Sequence, residues 1–280
     1  MNAQSIYMRY PGGVAKAFTM SFDDGRVRDA DIIKILQNNG IKATFFIPTG
    51  MFGKSYTLVA NGDACVAQYA NTGMEIAAHS RTHPDLPTVY EQKGEQGLKE
   101  EILDDIAALE KLFGEKVCGM SYPGAPPYKL YNDAVIEFLK NNNVGYSRTA
   151  ATTEKFDLPE NWLLWAPTSW VGYADKLQKL TTEFLSADVT KAPLLYNIWG
   201  HAYDIDEKWE SFEAFAQFCA SIGRQNDVWY ASYGDIFHYA KAFEKLEACN
   251  NTVTNKAKIA IWFEYNDRII ELKAGQTINL

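Results

Sequence analysis

The chain has 280 residues, 47% hydrophobic and 22% charged, enough for one large core with or without a small appendage and without disulfide staples. Its net charge of −8 and the lack of any Lys/Arg run set it against phosphate backbones, so no nucleic-acid partner is expected. Cys65, Cys118, Cys219 and Cys249 show no CxxC spacing, residues 1–10 have no leader-like pattern, and no apolar run approaches ~18 residues, so reduced thiols, no membrane span and a default cytoplasmic location are expected.

Short apolar runs predict a strand over 17–24, then a helix over 29–39 that stops at Gly40. Strands follow over 43–48 and 74–80. A helix over 98–113 carries Leu98, Ile102, Ile106, Leu109 and Leu112 on one stripe and ends at Gly114. Further along, strands over 117–123, 144–149, 162–168, 194–200 and 228–232 alternate with helices over 132–141, 174–185, 209–222 and 235–246. Many of these strands are continuously apolar, as parallel strands buried on both faces must be. About seven strand–helix units point to an α/β barrel or a doubly wound sheet, and periodicity alone leaves both open. The texture changes after residue 248. Runs over 257–265 and 268–272 flank the turn pair Asn266-Asp267, so 249–280 reads as a small β-hairpin appendage packed on a domain of residues 1–248.

Three features carry chemistry. Asp23 and Asp24 sit side by side at the end of the first apolar strand, where desolvation is costly unless a cation or hydrogen bonds compensate. An Asx turn or helix N-cap is the plainer reading of that pair. His79 and His83 are spaced as two imidazoles one helical turn apart, close enough to share an ion. His201 ends another apolar run. Three of the four histidines thus fall at the C-terminal ends of predicted strands, the edge where sites in parallel α/β folds assemble, and His238 is left as structural. Two His and one Asp leave positions open on zinc, the catalytic rather than the structural pattern.

The order Ser21-Phe22-Asp23-Asp24-Gly25, His79-Ser80-Arg81-Thr82-His83, Tyr122-Pro123-Gly124 and a late strand-end His201 resembles the polysaccharide deacetylase (NodB-homology, carbohydrate esterase family 4) family over roughly residues 16–245. The resemblance implies a distorted (β/α)7 TIM-like barrel that removes acetyl groups from a carbohydrate, with an N-acetyl sugar of an oligo- or polysaccharide preferred. It also implies a divalent metal, usually zinc, on Asp24, His79 and His83, with Asp23 as base and His201 as acid. Such a metal acidifies its water and, with one backbone N–H, holds the oxyanion, while the acid protonates the leaving group.

The third motif departs from the family. Ser121 stands where an Arg usually orients the base, Gly124 N–H is the natural oxyanion donor, and Arg148 is expected to reach across to Asp23 instead. For substrate, Trp199 is expected to wall the acetyl methyl. Tyr122, Tyr128, Trp165 and Trp170 are candidate sugar-stacking rings, each with core packing as the plainer reading. The family's acidic fourth motif is not clear around Trp170, so Asp204 or Asp206 is the expected partner of His201. The rival readings are an O-acetyl esterase on a xylan-like glycan, an amidohydrolase of small cyclic amides, and a sugar-binding protein with a degenerate site.

Overall fold

The computed structural model describes residues 6–124, 130–249 and 251–280. In chain order it runs β1 (Tyr7–Arg9), β2 (Lys16–Asp23), α1 (Asp29–Asn38), β3 (Ala43–Ile47), α2 (Gly62–Tyr69), β4 (Glu75–Ala78), α3 (Leu86–Leu98), α4 (Asp104–Phe113), β5 (Gly119–Ser121), α5 (Asp133–Asn141) and β6 (Tyr146–Arg148). It continues with β7 (Ser169–Trp170), α6 (Ala174–Ser186), β8 (Leu194–Gly200), α7 (Ala202–Lys208), α8 (Phe212–Ile222), β9 (Val228–Tyr230) and α9 (Tyr233–Phe243). Five strands close the chain: β10 (Leu246–Cys249), β11 (Thr252–Asn255), β12 (Ile261–Tyr265), β13 (Arg268–Leu272) and β14 (Thr277–Asn279).

The main sheet is parallel, in the order β6-β5-β4-β3-β2-β8-β7. Its ends meet through the segment around Trp165. Trp165 N–H donates to Ser147 O (3.0 Å) and Trp165 O accepts from Thr149 N–H (2.9 Å), while Thr168 and Val171 bond to β8. The curl is thus a distorted (β/α)7 barrel. Part of the distortion is visible at β2: Lys16–Phe18 pairs with β9, whereas Met20–Asp23 pairs with β3.

Alternation along the strands builds two cores. Phe18, Met20 and Phe22 pack outward with Ile32, Leu36 and Phe215 under the helices. Ala17, Phe46, Ala77, Tyr146, Trp165, Leu195 and Tyr233 fill the inside of the curl. Burying one such large side chain contributes about 1.5–3 kcal/mol, so the strand pattern and the helix stripes support one another.

Several elements differ from their sequence patterns. The strand expected over 162–168 is instead a 3-10 turn, Trp162–Leu164, followed by the short β7. The Asn161 carboxamide caps Leu163 N–H (3.0 Å), and Pro167 has no N–H for a ladder, so the regular strand starts only beyond it. The helix expected from 98 follows a shorter helical segment that starts at Leu86, where Asp85 caps Thr88 N–H at 2.7 Å, and the two are separated by a kink at Gly94 with φ +61°. A π turn, Lys99–Leu103, lies within the expected helix.

The C-terminal strands form two antiparallel sheets, β10-β11-β14 and β1-β12-β13. Asn266 and Asp267 both have positive φ (50° and 58°), the geometry of a tight hairpin turn, and they link β12 to β13. The N-terminal β1 joins this hairpin, with Met8 opposite Phe263. Tyr239 of α9 ties it to the barrel, its hydroxyl donating to Arg9 O (2.6 Å) and accepting from Trp262 N–H (2.8 Å). Among the described residues, no helix is long and apolar enough to cross a membrane.

Candidate active site

The site lies at the C-terminal ends of the barrel strands. Asp23 is the last residue of β2 and is buried. Asp24 follows with φ +81°, a left-handed backbone that breaks the strand's alternation and lets both carboxylates serve one pocket. One Asp23 oxygen, Oδ2, accepts a hydrogen bond from Arg148 Nη2, while Oδ1 is buried and has no hydrogen-bond partner among the described residues. Arg148, itself fully buried, donates to Thr149 O (3.1 Å) and lies over the Trp199 ring at 4.5 Å. The arginine missing from the third motif thus has a spatial replacement on the next strand.

His79 and His83 do not sit on a helix, as their spacing suggested. They lie on the loop after β4, and Ser80 and His83 adopt positive φ (56° and 58°), so a tight non-helical loop brings the rings together at 4.8 Å. His79 Nδ1 meets Ser121 Oγ (2.6 Å) and Ser121 O (3.2 Å), which leaves Nε2 facing Asp24 Oδ1 at 3.6 Å. Burial pulls the His79 pKa down to about 4, so the ring is neutral at pH 7 and its Nε2 lone pair is available. His83 Nε2 lies 3.6 Å from the same Asp24 oxygen. Among the described residues, Asp24, His79 and His83 could together hold an ion, because one donor atom from each lies within 4.8 Å of the others. Two imidazoles and a carboxylate converging on one point suit a divalent cation such as zinc. Burial tends to raise the Asp24 pKa, but His79, His201 and Arg26 outweigh it and bring it down to about 2.

His201 ends β8. Its Nδ1 and its backbone N–H both meet Asp204 Oδ2, at 3.0 and 2.8 Å. The same oxygen accepts the indole N–H of Trp170 at 2.8 Å. Burial alone would lower the His201 pKa, but the hydrogen bond it donates to Asp204 and the charges of Asp23 and Asp24 raise it above the usual value. Asp206, the alternative partner, instead pairs with Arg28 at the surface (3.0 Å).

The aromatic expectations divide. Trp199 is almost wholly buried, its ring 5.6 Å from His201 and its indole N–H without a partner. Trp170 is half-buried, and its N–H donates to Asp204 Oδ2, the oxygen that also holds His201. Tyr122 and Trp165 are corrected outright. Tyr122 is fully buried with its hydroxyl on Leu163 O (2.9 Å), and Trp165 packs inside the curl against Tyr233, so neither offers a face to a ligand. Gly124 has φ +93° and ends a described segment; Tyr128 lies outside the described residues.

Sequence reasoning missed three supports. Asp105 accepts His79 N–H (3.1 Å) and both donors of Thr49 (2.8 and 2.6 Å), tying α4 to two catalytic-edge loops. Arg26 grips Asp24, and Tyr203 stacks on His201 at 4.5 Å. Arg26 directly follows the first motif and Tyr203 lies two residues from His201, so proximity in sequence was the available signal. For Asp105 there was none, because it is one acidic residue among many on a helix.

The polysaccharide deacetylase family model matches residues 7–147, just over half of the chain. A chitin deacetylase from Pestalotiopsis sp is 26% identical over 145 residues, covering 51% of this chain but only 44% of that protein, so this chain spans less than half the length of the relative it matches. A Mycobacterium smegmatis structure assigned as a polysaccharide deacetylase aligns with TM-score 0.60 at 18% identity, over 86% of this chain and 96% of that one. The Xyl-CE4 domain of a multidomain xylanase from the hindgut metagenome of Trinervitermes trinervoides gives 0.50 at 20%, over 81% and 92%. A family 4 carbohydrate esterase pseudoenzyme from Bacillus anthracis gives 0.50 at 14%, over 82% and 68%. At these identities the three structures speak to the fold alone. The family match is the decisive finding: this chain belongs to the polysaccharide deacetylase family.

Proposed function

We propose that this protein is a divalent-metal-dependent hydrolase that removes acetyl groups from a carbohydrate, with an N-acetyl sugar of an oligo- or polysaccharide as substrate. The observation that carries this reading is the convergence of Asp24, His79 and His83 on one point, flanked by Asp23 on one side and His201 on the other.

The three ligands would hold zinc, which supplies Lewis acidity for water and for the acyl oxygen. The remaining work belongs to the chain. Arg148 pins Asp23 Oδ2 and so turns Oδ1, the unpartnered oxygen, into the acceptor for a water proton. Asp204 holds His201 by Nδ1, so the opposite nitrogen, Nε2, carries the proton delivered to the departing amine. Ser121 orients the neutral His79 in the same way. Trp199, against Arg148, walls the acetyl methyl, and Gly124 N–H takes the oxyanion. An O-acetyl esterase would use the same groups, so the test must separate amide from ester.

Acetate release should be measured with zinc-loaded protein on N-acetylated chitooligosaccharides and on O-acetylated xylooligosaccharides. The expected result is acetate from the chitooligosaccharides, abolished by a chelator and by Asp23→Asn. Acetate from the xylan panel alone would replace amide with ester. Silence on both panels, with zinc bound, would overturn the hydrolase in favour of a sugar-binding protein.

A further inference from the structure

Asp24 is held asymmetrically. Its Oδ1 faces His79 Nε2 and His83 Nε2, both at 3.6 Å. Its Oδ2 is gripped by two donors of one guanidinium, Arg26 Nη2 at 2.5 Å and Nε at 3.2 Å. Arg26 is itself anchored. Its third nitrogen donates to Thr57 Oγ1 at 3.0 Å, and its guanidinium carbon lies 4.8 Å from the centre of the Tyr203 ring. Its side chain is 23% exposed and that of Asp24 13%, so the pair is only partly screened.

We propose that Arg26 is a positioning residue for the metal site. By occupying Oδ2 of Asp24 with a two-pronged grip, it presents Oδ1 alone to the ion and fixes the carboxylate's rotation. This rests on the metal-site reading above. Asp24 has φ +81°, a conformation that aspartate adopts at a cost of about 1–3 kcal/mol and keeps only where surroundings over-determine it. A carboxylate on such a residue, free to rotate about its terminal bond, could offer either oxygen or both. The planar fork of Arg26 removes that freedom, as groups hydrogen-bonded to metal ligands commonly do. A point-charge ammonium has no such fork.

Charge and geometry predict opposite signs, which makes the inference testable. A guanidinium beside a cation site repels the incoming ion, so on electrostatics alone deleting Arg26 should tighten zinc. If Arg26 instead positions Asp24, deleting it weakens zinc, by about 10–100-fold for a lost outer-shell partner. Arg26→Lys isolates the geometric part, because the charge stays and the fork goes.

Zinc dissociation constants are therefore measured by competition against a chromophoric chelator for wild type, Arg26→Met, Arg26→Lys and His83→Ala, each checked for folding by circular dichroism. The expected order is wild type tightest, Arg26→Lys several-fold weaker, Arg26→Met weaker still. Wild-type affinity in Arg26→Lys overturns the inference, and so does equal or tighter binding in Arg26→Met. Should Arg26→Met not fold, the Lys variant decides alone. If wild type binds zinc no better than His83→Ala, the metal-site reading itself has failed, a signature distinct from either outcome at Arg26.

Discussion

Asp204 Oδ2 accepts from three donors at once: the His201 ring, the His201 backbone and the Trp170 indole. Three donors fix a carboxylate's orientation, and the raised pKa of His201 depends in part on the charge it carries. Replacing Asp204 by Asn keeps the shape but removes the charge, so the His201 pKa falls. The protonated acid is then lost at lower pH, and the alkaline limb of kcat/KM against pH moves down, with kcat lowered about 10–100-fold, part of what a general acid contributes. Trp170→Phe removes one donor and leaves the charge, so the limb should stay while kcat falls less. A pH profile of Asp204→Asn that overlays the wild type would dismiss Asp204 as a determinant of the acid. This corner also shows what a sequence reveals at residue scale. Asp204 is three positions from His201 and was legible as its partner. Trp170 was legible only as an aromatic, because the contact that defines it joins β7 to α7 across the sequence.

At the scale of elements, continuous apolar runs located the buried parallel strands, since a strand covered on both faces has no other pattern to show. The first strand, expected over 17–24, is buried along its whole observed length. The helix over 62–69 went unseen: its Ala, Cys and Val give it no strong stripe, and only the Asn61 cap, accepting from Ala64 N–H at 2.9 Å, marks it. That helix is pinned to α1 by one buried pair. Asp29 Oδ2 accepts from Tyr69 Oη (2.7 Å) and from Arg26 N–H (3.0 Å), and burial pushes the Asp29 pKa up to about 7. An unfolded Asp titrates near 4, so between about pH 4 and 7 the folded state holds a proton that the unfolded chain has released. Stability from this group is therefore present below pH 4 and lost as pH rises through 7, the reverse of a salt-bridged carboxylate. Asp29→Asn stays neutral while accepting the same two hydrogen bonds. Urea midpoints for wild type and Asp29→Asn, measured from pH 4 to 8, should differ by a growing margin in favour of the variant, on the order of a few kcal/mol at most. A difference that does not change with pH would show that Asp29 is ionised throughout.

At the scale of the whole molecule, the turn pair Asn266-Asp267 announced the β12–β13 hairpin, but nothing announced that β1 would complete its sheet. Tyr7 pairs with Glu264, and no local pattern encodes a contact over that separation. The consequence is that β1 and β12, strands far apart in sequence, meet against one helix, α9. The joint combines apolar packing, Ala242 against Ala257 and Ile261 and Phe243 against Val253 and Phe263, with one polar bridge, the Tyr239 hydroxyl shared between Arg9 O and Trp262 N–H. Tyr239→Phe keeps the ring and deletes only that bridge, leaving a buried carbonyl and a half-buried N–H short of a partner, a loss of about 1–3 kcal/mol. Because the bridge lies among the strands of the appendage while the site occupies the C-terminal edge of the barrel, the loss should be local. Amides of residues 7–9 and 261–265 should exchange faster in Tyr239→Phe, whereas zinc affinity and kcat should match the wild type. Faster exchange across β2 and β8 as well would mean that the barrel and its β appendage open as one cooperative unit, with the β1–β12 pair acting as a clasp on the whole fold.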